Sequence, residues 1–164
     1  MIGTPKVENR TEQHYMGIRT KATMRQLSKV IPQLLDEICA WLDAKGIEPV
    51  DAPLIRYHVI DMAAQLDIEL GVPVAAPVQG DGRVSASVLP AGRYAALTYE
   101  GSQRGIDANR TLLEWGAAQG LVWDRAKIEQ GDAFGGRIER FLTDPAEQPD
   151  RNKWQTEVAI CLAD

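Results

Sequence analysis

Two hydrophobic rhythms alternate along this chain, one with a period of two and one near 3.6, and the alternation runs through the same cycle twice. Residues 12–20 read as a strand, with Met16 and Ile18 alternating against Tyr15, Gly17 and Arg19. Thr23 followed by Gln26 is a capping-box start. From there Leu27, Val30, Ile31, Leu34, Leu35, Ile38, Trp41 and Leu42 recur at helical spacing, and Gly46 is placed to cap the end. Pro32 interrupts that run and predicts a kink, or a short helix followed by a longer one. Residues 54–60 and 65–74 return to the strand rhythm around a turn near Met62-Ala63.

Residues 77–82, with Gly80-Asp81-Gly82, carry the turn chemistry of a link. The cycle then repeats. Strands are predicted at 84–89 and 93–99 around Pro90-Ala91-Gly92. A helix capped by Ser102 carries Ile106, Leu112, Leu113 and Ala117 and ends at Gly120, and further strands follow at 134–143 and 154–162. The polar, proline-punctuated stretch 144–150 between the last two reads as a surface loop. Particular residues recur in the same order. Tyr15 answers to Tyr94, Trp41 to Trp115, Gly46 to Gly120, Arg56-Tyr57 to Arg140-Phe141, and Glu69 to Glu157. Each half is thus strand, helix, strand, strand, which predicts an α+β fold of two similar modules, about 5–78 and 83–164. Helices cover one face of antiparallel sheet, and a ligand cleft is expected on the other face.

Composition narrows the class. At 164 residues with 45% hydrophobic and 25% charged content, the chain suits one globular domain. A net charge of -5 argues against direct nucleic-acid binding, and no stretch is apolar enough for a membrane span. Cys39 and Cys161 lie far apart and read as two buried free thiols. His14 and His58 have no metal-ligand spacing with either cysteine, so neither metal nor cofactor is expected. Asp107 and Arg110 read as a surface ion pair of little weight.

Candidate chemistry centres on the two repeated glutamates. Alternation along 156–162 puts Val158, Ile160 and Leu162 against the helices, and Glu157, Ala159 and Cys161 on the other face. If that face is solvated, Glu157 is an ordinary surface charge. If the two halves meet there, it is a cleft carboxylate, whose desolvation a cationic or strongly hydrogen-bonding ligand would offset. Glu69 holds the matching place in the first half, beside Asp67. Aromatic residues are scarce at 6%, and Trp154, Phe141, Tyr99, Trp123 and Phe134 all fall in the second half. Trp154, opening the strand of Glu157, could stack on a planar or cationic molecule or simply pack at a strand edge.

The segment Arg140-Phe141-Leu142-Thr143-Asp144-Pro145, followed by Trp154-Gln155-Thr156-Glu157-Val158, resembles the C-terminal signature of GyrI-like proteins, which include the effector-binding domains of AraC- and MerR-type regulators. Gly46, Tyr57-His58, Pro90-Ala91-Gly92 and Tyr99-Glu100-Gly101 extend the likeness over nearly the whole chain. The resemblance implies two modules related by a pseudo-two-fold and a central cleft for hydrophobic, often cationic, small molecules. It implies Glu157 as the cleft glutamate, with Trp154, Phe141, Tyr99, Tyr57 and Glu69 as further ligand-binding candidates. Two departures stand out: Cys161 replaces a frequent proline, and Ser102-Gln103 replaces a frequent Pro-Tyr. The chain reads as a stand-alone, cytoplasmic version without a helix-turn-helix. Three functions follow from the resemblance: binding or sequestering a small molecule, hydrolytic opening of strained cyclopropanes in DNA-alkylating compounds with Glu157 as the catalytic carboxylate, or modulation of DNA gyrase.

Overall fold

The apolar stripe that begins at Leu27 forms one continuous helix, α1 (Leu27–Lys45), in a computed structural model that describes residues 1–164. Leu27, Leu34, Ile38 and Leu42 bury its inner face, each contributing about 1.5–3 kcal/mol relative to exposure. The backbone amide of Thr23 donates to Gln26 Oε1 at 2.8 Å, and a single 3-10 turn, Met24–Gln26, leads into the helix. Pro32 does not split α1 in two. It lies in the second turn, where its ring removes one backbone bond while the helix continues to Gly46 in the left-handed region (φ 69°). The second helix, α2 (Gly105–Ala118), buries Ala108, Leu112 and Gly116.

Ten strands form one sheet: β1 (Lys6–Arg10), β2 (Gln13–Ala22), β3 (Leu54–Ile60), β4 (Leu66–Pro73), β5 (Val84–Leu89), β6 (Gly92–Glu100), β7 (Arg125–Ile128), β8 (Gly131–Phe134), β9 (Arg137–Phe141) and β10 (Gln155–Cys161). The main order is β1-β6-β10-β9-β3-β4-β2-β5, with β7 and β8 attached beside β3, and the pairings are antiparallel. This order is a palindrome when β2, α1, β3 and β4 are equated with β6, α2, β9 and β10. The inner strands β3 and β9 meet at its centre, with Ile55 opposite Glu139.

The hydrophobic pattern misses β1 and the β7–β8 hairpin. β1 is a mostly accessible strand, and it pairs not with its own half but with β6 of the other, as β5 pairs with β2. The halves therefore exchange edge strands. The four residues of β7 are all exposed, which leaves no apolar alternation to read.

Three apolar clusters follow the two faces. One lies under α1 and includes Ile55, Ile68 and Leu70, and one lies under α2 and includes Leu97, Val158 and Ile160. The third, Tyr15, Leu54, Leu89, Tyr94, Ala96, Ile138, Ala159 and Cys161, fills the face without helices. That face is largely filled by its own side chains and keeps a polar pocket of about 530 Å³, whereas the larger apolar cavity lies on the helix side and not on the face where the cleft is expected. Cys161 is buried as predicted, but Cys39 is exposed on α1. Asp107 and Arg110 pair on the surface at 3.2 Å. No helix is long and apolar enough to cross a membrane.

Candidate functional site

A cavity of about 1110 Å³ lies between α1 and α2, on the helix side of the sheet. Its size is at the upper end for a small-molecule site, and its lining is mainly apolar. The helices supply Leu27, Ile31 and Leu35 from α1 and Ile106, Asn109 and Leu113 from α2. The floor comes from the sheet, through Tyr57 of β3, Tyr99 of β6, Glu139 and Phe141 of β9 and Thr156 of β10, with Trp154 just ahead of that last strand. Met62 and Ile106, both largely exposed, add apolar surface to the lining.

Why the cavity stays open follows from the helix sequences. Both helices bury one edge of their apolar stripe in the cluster beneath them, leaving Ile31 and Leu35 on α1 and Leu113 on α2 only partly covered. Tyr57 and Phe141 occupy equivalent places in the two halves, and both reach this space. The pairing of β3 with β9 brings them to the middle of the floor.

Glu139 is the acidic group on that floor. Period-two alternation along β9 points Ile138 and Arg140 to the helix-free side, and Arg137, Glu139 and Phe141 to the cavity. Burial pushes the Glu139 carboxyl above its usual range, and the neighbouring Tyr57, Asn109, Arg137 and Tyr99 reverse that only in part. Its hydrogen bonds are long: Tyr99 Oη donates to Oε1 and Asn109 Nδ2 to Oε2, each at 3.4 Å. Burial, reinforced by the Glu139 charge, also raises the Tyr57 and Tyr99 hydroxyls well above their usual range, so both stay protonated as donors. Asn109 is held by a bond from its Nδ2 to the Gly105 carbonyl at 2.8 Å. The result is a carboxyl surrounded by neutral donors, without a direct ion pair and open to a large apolar space.

The two glutamates singled out by repetition lie elsewhere. Glu157 projects to the helix-free side, where Arg10 of β1 grips it in a bidentate pair at 3.0 and 2.8 Å. Arg140, its cross-strand neighbour, approaches at 3.9 Å. Arg10 also bonds Glu8 at 2.7 Å and lies 5.5 Å from the Tyr94 ring centre. Glu157 thus lies on the helix-free face, as alternation predicts, where it lines a polar pocket with Arg10, Arg140 and Tyr94 and not the apolar cavity between the helices. Its partner comes from β1, whose arginine reaches across β6 and neutralises the carboxylate.

Glu69 is likewise engaged, and more deeply buried at 4% exposure. Tyr15 Oη donates to its Oε1 at 2.5 Å, and His58 Nε2 lies 2.9 Å from the same oxygen. Arg56, its cross-strand neighbour, donates to Tyr15 Oη at 3.0 Å and to the Val88 carbonyl at 2.9 Å. Burial alone would raise the Glu69 carboxyl, but the bonds from His58 and Tyr15 and the nearby charges hold it below its usual range. Gly17 makes room for it, since a Cβ there would meet Glu69 Oε2 at 2.8 Å. Glu69 therefore does not reach the cavity either.

Four of the six sequence candidates, Trp154, Phe141, Tyr99 and Tyr57, do come together around the cavity. Trp154 is anchored by a bond from its Nε1 to the Gln148 carbonyl at 2.6 Å, and Arg151 lies over its ring at 5.5 Å. Glu139, Asn109 and Arg137 escape a reading based on repetition. The signal that finds them is alternation: once Phe141 is assigned to the cavity face, Glu139 and Arg137 share that face.

A family model described as a GyrI-like small molecule binding domain matches residues 3–163. No curated protein matches the sequence. Among solved structures, the C-terminal domain of EcmrR superposes with a TM-score of 0.76 at 16% identity, covering 100% of this chain and 99% of that one. In the complex of EcmrR with DNA (TM-score 0.75, 16% identity), 97% of this chain is covered and it spans only 57% of the EcmrR chain. A hydrolase from Listeria innocua gives a TM-score of 0.64 at 13% identity, covering 97% of this chain and 91% of that one. SAV2435 bound to tetraphenylphosphonium gives 0.57 at 9% identity, covering 97% and 93%. These likenesses concern the fold. Because the family model spans nearly the whole sequence, and the same sheet-and-two-helix architecture recurs in those structures, this chain belongs to the family of GyrI-like small-molecule-binding domains.

Proposed function

We propose that this protein captures a hydrophobic, cationic small molecule in the cavity between α1 and α2, with Glu139 as its countercharge and Tyr57, Tyr99, Phe141 and Trp154 as its aromatic walls. The observation that carries this reading is Glu139 itself. It is a carboxyl desolvated on the floor of an apolar cavity, with the neutral donors Tyr57, Asn109 and Tyr99 around it and no direct ion pair. A lipophilic cation offers such a group the charge it lacks, and bare aromatic faces stabilise the same cation. The binding of tetraphenylphosphonium by SAV2435, of like fold, is consistent with this. Glu157 and Glu69 have no part in the proposal, because arginine, tyrosine and histidine already occupy their carboxylates.

The test is calorimetric titration of tetraphenylphosphonium into the wild type and into Ile31→Trp, which fills the cavity from α1. The wild type should bind one equivalent and the variant, folded by circular dichroism, should not. Equal affinity in both would put the ligand outside this space.

The raised carboxyl of Glu139 favours a second reading, in which the bound molecule is hydrolysed. In its ionised form, a carboxylate whose proton affinity is raised can take a proton from water as that water attacks. For a strained cyclopropane, the hydroxyl would add to one ring carbon and the proton would return to the other. Product analysis of a cyclopropane-bearing alkylator tests this. Hydration above the buffer rate that disappears in Glu139→Gln supports it, and no excess hydration leaves binding alone.

A further inference from the structure

The molecule's buried and partly buried arginines are not equally provided for. Arg10 holds Glu157 and Glu8. Arg56 donates to Tyr15 Oη and to the carbonyls of Val88 and Gly135. Arg140 donates to Gln13 Oε1 and the Ala52 carbonyl and pairs with Asp51 at 3.4 Å. Arg56 Nε lacks a partner but is sealed in the interior; Arg137 differs in that its free donors open onto the cavity. Of the five N–H donors of its guanidinium, the one protein hydrogen bond it makes runs from Nη2 to Asn109 Oδ1 at 3.0 Å, and no carboxylate is in ion-pair contact with it.

Arg137 also faces the right way. It lines the cavity between the helices, two residues before Glu139 on the same side of β9. The Phe134 ring lies 4.7 Å below the guanidinium carbon and fixes one side of the group. Asn109 sits between the two charges, accepting from Arg137 and donating to Glu139, and so keeps them apart within one wall. Arg110, Arg125 and Arg151 also border the cavity, but they are exposed and bathed by solvent. A partly buried guanidinium with most of its donors opening onto an apolar cavity can take a partner there, and planar oxyanions fit its fork best.

We propose that Arg137 forms an anion-accepting subsite beside Glu139, so that the cavity takes aromatic or apolar molecules bearing a carboxylate- or sulfonate-type group as well as lipophilic cations. This rests on the cavity being the ligand site. Together Glu139 and Arg137 make a bipolar wall, and a molecule carrying both charges would meet both groups.

The experiment pairs two aromatic probes of opposite charge, 1-anilinonaphthalene-8-sulfonate and tetraphenylphosphonium, titrated into the wild type, Arg137→Gln, Arg137→Lys and Glu139→Gln. Arg137→Gln should weaken the sulfonate about tenfold or more and leave the phosphonium as tight or tighter, and Arg137→Lys should recover part of the sulfonate affinity. Glu139→Gln should do the reverse, weakening the phosphonium and tightening the sulfonate. Sulfonate affinity unchanged in Arg137→Gln, or both probes weakened alike, overturns the proposal. Should Arg137→Gln not fold, nitrogen-15 NMR of the native protein decides: the Arg137 Nε–H resonance must move on saturation with the sulfonate, and a stationary resonance refutes the subsite. A phosphonium that ignores Glu139→Gln would instead count against the cavity reading, whatever Arg137 does.

Discussion

Glu139 and Glu157 sit on adjacent, paired strands, yet they face opposite sides of the sheet and live under opposite conditions. Glu157 has an arginine in bidentate contact and a second one close by. Glu139 has the neutral donors Tyr57, Tyr99 and Asn109, the last two at 3.4 Å, and an apolar cavity before it. A carboxylate whose lone pairs are filled by fixed partners holds structure together and has little left to offer a ligand. One that is desolvated and incompletely satisfied stores the free energy that binding can recover. The contrast extends to the two halves. Arg56 opposite Glu69 matches Arg140 opposite Glu157, whereas Glu139 faces Ile55, its own counterpart across the centre of the palindrome. What is shared by both halves is architecture, and what breaks the symmetry is the candidate site.

The comparison can be broken most forcefully at Glu69. Replacing it by alanine leaves Tyr15, His58 and Arg56 around an unfilled buried space, and should cost about 3 kcal/mol in urea denaturation. A loss under 1 kcal/mol would mean that the repeated glutamates are not structural. A smaller effect is expected at Glu157, which is less deeply buried. Glu157→Gln should lower stability by about 1–2 kcal/mol through weakening of the Arg10 pair, and removing Arg10 first should abolish most of that difference in a double-mutant cycle. Additive losses would contradict a direct pairing.

Glu139 should behave in the opposite sense. Its folded-state carboxyl is raised above 4.5, so the folded protein holds that proton more tightly than the unfolded chain does. The associated stability is fully present below the ordinary carboxylate value and is lost as pH rises through the raised folded value. Glu139→Gln should therefore match the wild type near pH 4 and exceed it by a modest margin near pH 8, as measured by thermal melts at both values. A variant less stable than the wild type at the higher pH would show that Glu139 is satisfied after all. The same titration governs ligand capture, because a cation needs the ionised carboxylate and should bind more tightly as pH rises.

Much of this molecule is written in its hydrophobic rhythm. Both helices, the capping glycine at Gly46, and the strands around Ile18, Ile68 and Val158 follow from spacing alone, because each buries one regular face. β1 does not, since its partner strand lies in the other half and its own residues stay largely accessible. The same strand explains why Glu157 reads as a cleft residue from sequence. Alternation gives its face correctly, but only the long-range crossing of β1 brings Arg10 to it. Glu139 is hidden for a different reason. It stands in Arg137-Ile138-Glu139-Arg140, where adjacent opposite charges resemble a solvated pair, and Ile55 gives it no echo in the first half. Phe141, legible as an aromatic candidate, was the available pointer to its face.

The most direct test sets the two glutamates against each other in one assay. Tetraphenylphosphonium is titrated calorimetrically, at neutral pH, into the wild type, Glu139→Gln and Glu157→Gln. Capture on the helix side predicts about a tenfold or greater loss of affinity in Glu139→Gln and a change within about twofold in Glu157→Gln. The reverse ranking, with Glu157→Gln losing the cation and Glu139→Gln keeping it, would place the ligand on the helix-free face and contradict the account.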